Sequence, residues 1–211
     1  MNEIGVVFDC DGTLVDSEPL SMDAWRRTIE PYGYAITDAD FLAVVGRPYT
    51  YTHSYLSERV SLPDPDALWP ELRTELFELI DTRLRPFADA VAAVADLEVR
   101  GVALAVASSS LRERLDRTLA RAGLDFAVTI AGDEVEHGKP APDMFLLAAE
   151  RLGVDPSRCV VVEDSPAGIA AGRAAGMPTL GVCRVQGTES TLSEADRIVY
   201  MVSAEEILSL L

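Results

Sequence analysis

Short apolar runs alternate along the chain with longer stretches of helical periodicity. The runs at residues 6–8, 102–107 and 159–162 are apolar throughout, as is typical of strands that a parallel sheet buries on both faces. Stretches with apolar residues three and four positions apart follow such runs, which predicts amphipathic helices. Further strands are predicted at 128–130 and near 179–183 and 197–200. The alternation predicts an α/β fold with a doubly wound, mostly parallel, Rossmann-like sheet and helices on both faces.

One long segment interrupts this alternation, because it contains no apolar run with the flanking turn signals of a strand. Helical periodicity continues there instead, over residues 38–45, 50–60 and 66–84. In the last of these helices the apolar residues form one stripe, which consists of Leu68, Leu72, Leu76, Leu79 and Ile80. We therefore expect an α/β core formed by residues 1–16 and 87–211, with an inserted, all-helical cap domain at residues 17–86.

Two acidic residues follow the first strand directly. In extended backbone, Asp9 and Asp11 point to the same side and Cys10 points away. Carboxylates this close repel each other unless a cation or a shared proton lies between them. Mg²⁺ suits such a site because it prefers oxygen ligands and binds through one or two carboxylates together with substrate phosphate. The alternative is an acidic turn without a bound ion, since Asp-Gly at 11–12 is also a turn signal.

Polar residues follow the other predicted strands in the same way, namely Ser108, Ser109, Ser110, Glu163 and Asp164, with Lys139 in a loop. Because open parallel sheets bind ligands at the carboxyl ends of their strands, we expect one site. Asp9 is the candidate nucleophile and Asp11 the candidate general acid and base. Ser108 and the backbone amide of Ser109 are candidates for holding a phosphoryl oxygen.

Structural alternatives exist for several of these residues. Ser110 and Glu113 fit a capping box, so Ser110 is assigned to the start of a helix, and capping is an alternative for Ser108 as well. A loop lysine such as Lys139 is often a solvated charge, although a phosphate site in so acidic a chain needs an inward-pointing cation. An acidic helix start is the alternative for Glu163 and Asp164.

Composition narrows the classes of partner and compartment. The formal net charge of −17 argues against nucleic acid and anionic membrane as partners, and no apolar run approaches the ~20 residues that span a bilayer. Three cysteines in apolar surroundings predict buried, reduced thiols, and two histidines exclude a histidine-rich metal site. The chain enters its first strand without room for a signal peptide, and we expect a cytoplasmic protein.

The segment from Asp9 to Ser17, together with Ser108, Lys139-Pro140 and Glu163-Asp164 in this order, resembles the motifs of the haloacid dehalogenase-like phosphohydrolases. The resemblance implies the same roles for Asp9 and Asp11, and a phosphate contact for Lys139. It also implies an Mg²⁺ site formed by Asp9, Asp164 and the backbone carbonyl of Asp11. Glu163 is expected just outside the metal ligands or bonded through water, and Thr13 is expected to touch the site.

The helical insertion resembles the cap domain of the subgroup in which the cap follows the first motif. Such a cap closes over the substrate, and Glu18 and Arg47, the latter beside Gly46, are candidates for contacting the leaving group. A surface salt bridge is an equally good explanation for Arg47. The implied substrate is a small phosphorylated metabolite, and the sequence leaves the oligomeric state open between a monomer and a weak dimer.

Three functions are compatible with this pattern. The favoured one is a magnesium-dependent phosphatase of a sugar phosphate, either 6-phosphogluconate or a hexose phosphate, acting through an aspartyl-phosphate. The second is a phosphomutase of the β-phosphoglucomutase type, but Ser21, Tyr49 and Leu111 replace a histidine, an arginine and a lysine of that pattern. The third is a catalytically silent regulator that binds a phosphorylated ligand. The dehalogenase branch lacks the second aspartate, so Asp11 argues against it.

Overall fold

A computed structural model describes residues 4–44 and 47–211. These residues contain the strands β1 (Gly5–Phe8), β2 (Ala103–Ala107), β3 (Val128–Ile130), β4 (Cys159–Glu163), β5 (Thr179–Val182) and β6 (Arg197–Val199). They form one parallel sheet in the order β3-β2-β1-β4-β5-β6. The predicted α/β class and the predicted strands are confirmed.

The chain divides into two compact units. The first comprises the chain up to Val15 together with Arg85–Leu211, and the second comprises Asp16–Leu84. The α-helices of the first unit are α5 (Ala88–Val99), α6 (Arg112–Ala122), α7 (Asp143–Leu152), α8 (Pro166–Ala174) and α9 (Ala204–Leu208). The regular elements in the described part of the second unit are helices, namely α1 (Glu18–Ile29), α2 (Asp38–Val44), α3 (Tyr49–Ser57) and α4 (Pro65–Arg83), with a short 3-10 turn after α1.

The first strand lies in the middle of the sheet. Val7 is paired with Ala105 of β2 on one side and Val161 of β4 on the other, and all three residues are fully buried. After β1 the chain builds β2 and β3 on one side and then crosses to build β4, β5 and β6 on the other. The strand order therefore reverses beside β1, and such a reversal opens a crevice at the carboxyl ends of the strands.

The two ends of the inserted segment are joined within the first unit. Val15 forms an isolated antiparallel bridge with Pro86, and the Phe87 amide donates a hydrogen bond to the Leu14 carbonyl at 2.9 Å. The chain therefore leaves and re-enters the first unit through two adjacent, hydrogen-bonded backbone segments.

A partly buried arginine strengthens this junction. Arg184, which follows β5, forms an ion pair with Asp89 at 2.7 Å and donates to the Thr13 carbonyl at 2.9 Å. Its guanidinium also lies over the Phe87 ring, 3.9 Å from the centroid. One side chain thus connects the loop after β1 with the start of α5.

The second unit has its own apolar core. α1 packs against α4, whose predicted leucine stripe is buried along its length. Tyr49 stacks on Trp25 with 5.4 Å between ring centroids, meets Trp69 edge-on at 5.1 Å, and donates its hydroxyl to the Pro65 carbonyl. The position at which the mutase pattern has an arginine is therefore part of the packing of this unit.

A carboxylate organises the start of α2. The buried Asp40 accepts hydrogen bonds from the Thr37 amide and hydroxyl and from the Tyr34 and Tyr55 hydroxyls, and it pairs with Arg59 at 3.1 Å. Burial raises the pKa of Asp40, but these donors outweigh it and hold that pKa well below its ordinary value.

Two further expectations concern the whole chain. Cys10, Cys159 and Cys183 are buried free thiols, as predicted. Within residues 4–44 and 47–211, no helix combines the length and the apolar character needed to cross a bilayer.

Candidate active site

Asp9 directly follows β1 and lies between the ends of β2 and β4. Its backbone amide donates to the Val162 carbonyl at 2.9 Å, which continues the pairing of β1 with β4 by one residue. Its side chain is buried, and its Oδ1 accepts a hydrogen bond from Lys139 Nζ at 2.5 Å. The central position of β1 therefore carries this carboxylate into the crevice at the reversal of strand order.

Lys139 connects three parts of the site through its buried ammonium group. Besides Asp9, Nζ donates to Glu163 Oε1 at 2.8 Å and to the Ala107 carbonyl at the end of β2 at 3.0 Å. Burial lowers the pKa of Lys139, but the charges of Asp9 and Glu163 outweigh that effect and raise it above the ordinary value. The lysine is therefore a buried, fixed positive charge and not the solvated loop charge of the alternative interpretation.

Glu163 is the last residue of β4 and is almost completely buried. One of its oxygens pairs with Lys139, and the other accepts from the Ser165 amide at 2.7 Å and the Ser165 hydroxyl at 2.9 Å. Gly168 in α8 leaves room for this side chain, since a Cβ there would lie 1.7 Å from Glu163 Oε1. Ser165 also caps α8, since its hydroxyl accepts a hydrogen bond from the Gly168 amide.

Asp164 faces the loop that follows β1. Its Oδ1 accepts a hydrogen bond from the Thr13 hydroxyl at 3.1 Å. Gly12 approaches the same carboxylate so closely that a Cβ would lie 2.1 Å from Oδ2, and the φ angle of +83° also favours glycine there. The predicted contact of Thr13 with the site is therefore a hydrogen bond to Asp164.

Three carboxylates converge beside Lys139. One ligand oxygen each from Asp9, Glu163 and Asp164 lies within 4.8 Å of the others. Three carboxylates and one ammonium leave a formal charge of −2 when all are ionised, and an all-oxygen donor set of this kind fits a hard divalent cation. Because both Glu163 oxygens already accept hydrogen bonds, Asp9 and Asp164 are the better candidates in this cluster for ligating such a cation.

Burial has a marked effect on the candidate nucleophile. It raises the pKa of Asp9 from 3.8 to about 7, while Lys139 acts in the opposite direction and the charges of Glu163 and Asp11 add to the rise. A nearby cation stabilises an ionised carboxylate, so Lys139 favours the ionised form of Asp9 and a divalent ion at this site would do the same.

Asp11 has different partners from Asp9. Its Oδ1 pairs with Arg114 Nη2 at 2.8 Å, and its Oδ2 accepts from the Ser110 hydroxyl at 2.8 Å and the Ser108 hydroxyl at 3.4 Å. In the described part of the chain its side chain does not join the carboxylate cluster. The two aspartates after β1 therefore occupy separate environments.

The assignment of Ser110 to a capping box is wrong. α6 begins at Arg112, its N-cap is Leu111 without a side-chain cap, and the Ser110 hydroxyl donates to Asp11. Ser108 accepts from the Ser110 amide at 3.1 Å, so it organises the turn and also faces the site. Ser109 is exposed, and the loop after β3 packs closely against its carbonyl, since a Cβ at Gly132 would lie 2.4 Å from that oxygen.

Sequence reasoning missed Arg114. The available signal is its position, because a basic residue in the first turn of a helix opposes the helix dipole and therefore indicates a specific acidic partner. The partner itself, Asp11, is 103 residues away in the sequence.

The two residues proposed to contact the leaving group lie in the second unit. Glu18 begins α1 and is partly buried. Arg47 is exposed, with its guanidinium 5.1 Å from the centroid of the Tyr51 ring. Gly46 lies outside the described residues. The substrate contacts of Glu18 and Arg47 remain predictions.

Comparisons with known proteins agree with this geometry. The family model of the haloacid dehalogenase-like hydrolases matches residues 5–176. The sequence is 34% identical over 211 residues to the phosphorylated carbohydrates phosphatase of Thermotoga maritima, covering 98% of this chain and 97% of that protein. It is 36% identical over 185 residues to the fructose-1-phosphate phosphatase YqaB of Escherichia coli, covering 84% of this chain and 95% of that protein.

The fold is also similar to that of solved structures. One is a HAD family hydrolase from Deinococcus radiodurans, crystallised with bound phosphate and sodium, with a TM-score of 0.76 and 29% identity. The similarity covers 97% of this chain and 93% of that structure.

Proposed function

The chain belongs to the haloacid dehalogenase-like hydrolases, and on this premise we propose that it hydrolyses a small sugar phosphate through an aspartyl-phosphate on Asp9. The observation that carries this proposal is the separation of Asp9 from Asp11. One carboxylate lies beside a buried ammonium and the other is held by hydroxyl and guanidinium groups. Two carboxylates in different environments can perform different tasks in one reaction.

The first step transfers the phosphoryl group to the protein. A carboxylate oxygen of Asp9 attacks phosphorus, the bond from phosphorus to the sugar oxygen breaks, and Asp11 gives a proton to that leaving oxygen. Lys139 supplies positive charge beside the Asp9 carboxylate. The Ser108 hydroxyl, 3.4 Å from Asp11 Oδ2, is proposed to contact the phosphoryl group.

The second step releases phosphate. A water oxygen attacks phosphorus, its proton passes to Asp11, and the bond between Asp9 and phosphorus breaks. Asp11 is then protonated again and Asp9 is free for another cycle.

We propose Mg²⁺ as the cofactor, held by the Asp9 and Asp164 carboxylates and the Asp11 backbone carbonyl. The convergent carboxylates support an oxygen-preferring divalent ion, and Glu163 fits the place just outside the ligands because Lys139 and Ser165 occupy its oxygens. When bound, such a cation neutralises the charge of the phosphoryl oxygens.

Support for a sugar phosphate comes from the names of the relatives, which act on phosphorylated carbohydrates and fructose 1-phosphate. Within that class we propose 6-phosphogluconate or a hexose phosphate. We further propose that residues 16–84 act as a lid, with Glu18 and Arg47 contacting the sugar. The three buried free thiols support a cytoplasmic protein. We propose that it works as a monomer or weak dimer.

A phosphomutase fits less well. Tyr49 packs between Trp25 and Trp69 and cannot serve as a substrate cation, and Leu111 is an exposed apolar residue before α6. These two positions, which carry an arginine and a lysine in the mutase pattern, therefore carry no cation here.

The decisive experiment is phosphate release from a panel of sugar phosphates, with Mg²⁺ and with a chelator, for the wild type and Asp9→Asn. We expect release that requires Mg²⁺ and disappears in the variant. Hydrolysis by a well-folded Asp9→Asn protein would refute the nucleophile. Conversion of glucose 1-phosphate to glucose 6-phosphate, primed by the bisphosphate and without net phosphate release, would establish the mutase instead, and tight binding without turnover would indicate a regulator.

A further inference from the structure

Side chains of the loop after β2 and the first turn of α6 hold the Asp11 carboxylate. Arg114 donates to Oδ1 at 2.8 Å and Ser110 donates to Oδ2 at 2.8 Å. About a fifth of each side chain of the Asp11–Arg114 pair is exposed, 21% and 23% respectively, so water screens the pair only in part. The contact is therefore stronger than an ordinary surface ion pair.

Donors on both oxygens restrict the torsions of a carboxylate. The χ2 torsion of an aspartate is broad, so an isolated Asp11 side chain would rotate freely about its last bond. Charge-assisted hydrogen bonds to Oδ1 and Oδ2 fix the plane of the group. Proton transfer requires the donor oxygen within hydrogen-bond reach of its acceptor, so the orientation of this plane decides whether Asp11 can act.

We propose that Arg114 is a positioning residue that orients Asp11 for proton transfer, with Ser110 as the second support. This inference rests on the proposed function, in which Asp11 protonates the leaving oxygen as the bond from phosphorus to that oxygen breaks. Arg114 acts through Asp11 and does not itself touch the reacting atoms.

A purely structural role for Arg114 would be to attach α6 to the loop after β1. The two roles differ in one measurable property, the dependence of the rate on the leaving group. A leaving group that departs readily as an anion, such as 4-nitrophenolate, needs little proton transfer, whereas phenolate and alkoxides need more. Loss of a positioned proton donor therefore harms poor leaving groups selectively, and general loosening of the fold harms all substrates alike.

The test compares kcat/KM for phenyl phosphate and 4-nitrophenyl phosphate, because kcat/KM reports the steps up to transfer to Asp9. Arg114→Met, Arg114→Lys and Asp11→Asn are measured beside Arg112→Met. Arg112 is a matched control on the same helix, bonded to Asp116, Thr129 and Glu134 and not to Asp11. Thermal unfolding of every variant is recorded.

We expect Arg114→Met to lower kcat/KM by roughly 10–100-fold for phenyl phosphate and by only about threefold for 4-nitrophenyl phosphate. Asp11→Asn should show the same selectivity in stronger form, and Arg114→Lys should recover part of the loss. Arg112→Met should affect both esters equally, whatever its stability.

Each other outcome has a definite meaning. Suppose that Asp11→Asn is selective but Arg114→Met loses activity equally on both esters or hydrolyses phenyl phosphate faster. Either result overturns the role of Arg114 and leaves the proposed function intact. No selectivity in Asp11→Asn refutes Asp11 as the acid, and the inference fails with it. A wild type that hydrolyses neither ester nor any sugar phosphate refutes the proposed function itself.

Discussion

Replacing Lys139 by methionine tests the electrostatic design of the site. The lysine side chain is 4% exposed and pairs with two buried carboxylates, Asp9 and Glu163. Removing one partner of a buried ion pair costs about 3–5 kcal/mol, since the remaining charge stays desolvated. For a chain of this size that corresponds to a fall in Tm of roughly 6–20 °C at 2–4 °C per kcal/mol. We expect a loss in this range at pH 8 in chelator.

The loss should depend on pH in a defined direction. Lys139 lowers the pKa of Asp9, which burial raises to about 7, so its removal raises that pKa further. Asp9 in the variant then takes up a proton more readily in the folded state, and the destabilisation should shrink at pH 5.5. Mg²⁺ should also restore part of the stability, because it binds the folded state alone.

Thermal unfolding followed by circular dichroism measures these effects. A double-mutant cycle with Glu163→Gln isolates the pair, and we expect a coupling of at least about 1 kcal/mol between contacting residues. A Lys139→Met protein with an unchanged Tm at pH 8 in chelator, together with no coupling to Glu163→Gln, would refute the reasoning.

The remaining predictions concern charge, backbone and the second unit. In chelator, the wild type should lose stability as pH rises from about 4 to 7, because the pKa of Asp9 is raised from 3.8 to about 7. Asp9→Asn should lack this slope and be inactive. Urea unfolding at pH 5 and 8 measures the slope, and an unchanged slope contradicts the prediction. Gly12→Ala forces a Cβ onto Asp164 at a φ of +83°. We therefore expect at least about tenfold lower activity at limiting Mg²⁺ and a loss of about 1–3 kcal/mol in the free energy of unfolding. Mg²⁺ titration and denaturant unfolding measure the two effects, and wild-type values would contradict the prediction. Asp40→Ala should destabilise the second unit by about 2–4 kcal/mol, seen as faster amide exchange around Thr37. Because the pKa of Asp40 is lowered, the stabilisation that this carboxylate provides is present above pH 4 and is lost as pH falls below that value. Amide exchange in Asp40→Ala at the wild-type rate at pH 7 would therefore exclude this role.

The fold follows from local patterns that the sequence contains in full. The run at 159–162 is apolar throughout and lies in β4, and Ser165 before Pro166 marks the start of α8. These signals arise within a few residues of chain, so they can be recognised without knowledge of the partners.

The site is predictable only in part, because its contacts join distant segments. Turn signals place Asp9 and Asp164 at strand ends, but nothing local indicates that Lys139 donates to both Asp9 and Glu163. Ser110 matches a local capping motif, and the long-range bond to Asp11 prevails over it in the structure. Local pattern therefore gives the residue types and their positions, and tertiary contacts decide their partners.

The bridge between Val15 and Pro86 makes the inserted segment an exchangeable part of the molecule. Because Val15 and Pro86, where the chain leaves and re-enters the first unit, are held side by side within that unit, any insertion only has to begin and end at adjacent backbone positions. An insertion of different length or composition can satisfy that condition without moving Asp9, Asp11 or Asp164. On the proposed lid role, grafting a foreign helical segment between these two points would change the substrate range and leave the proposed catalytic residues in place.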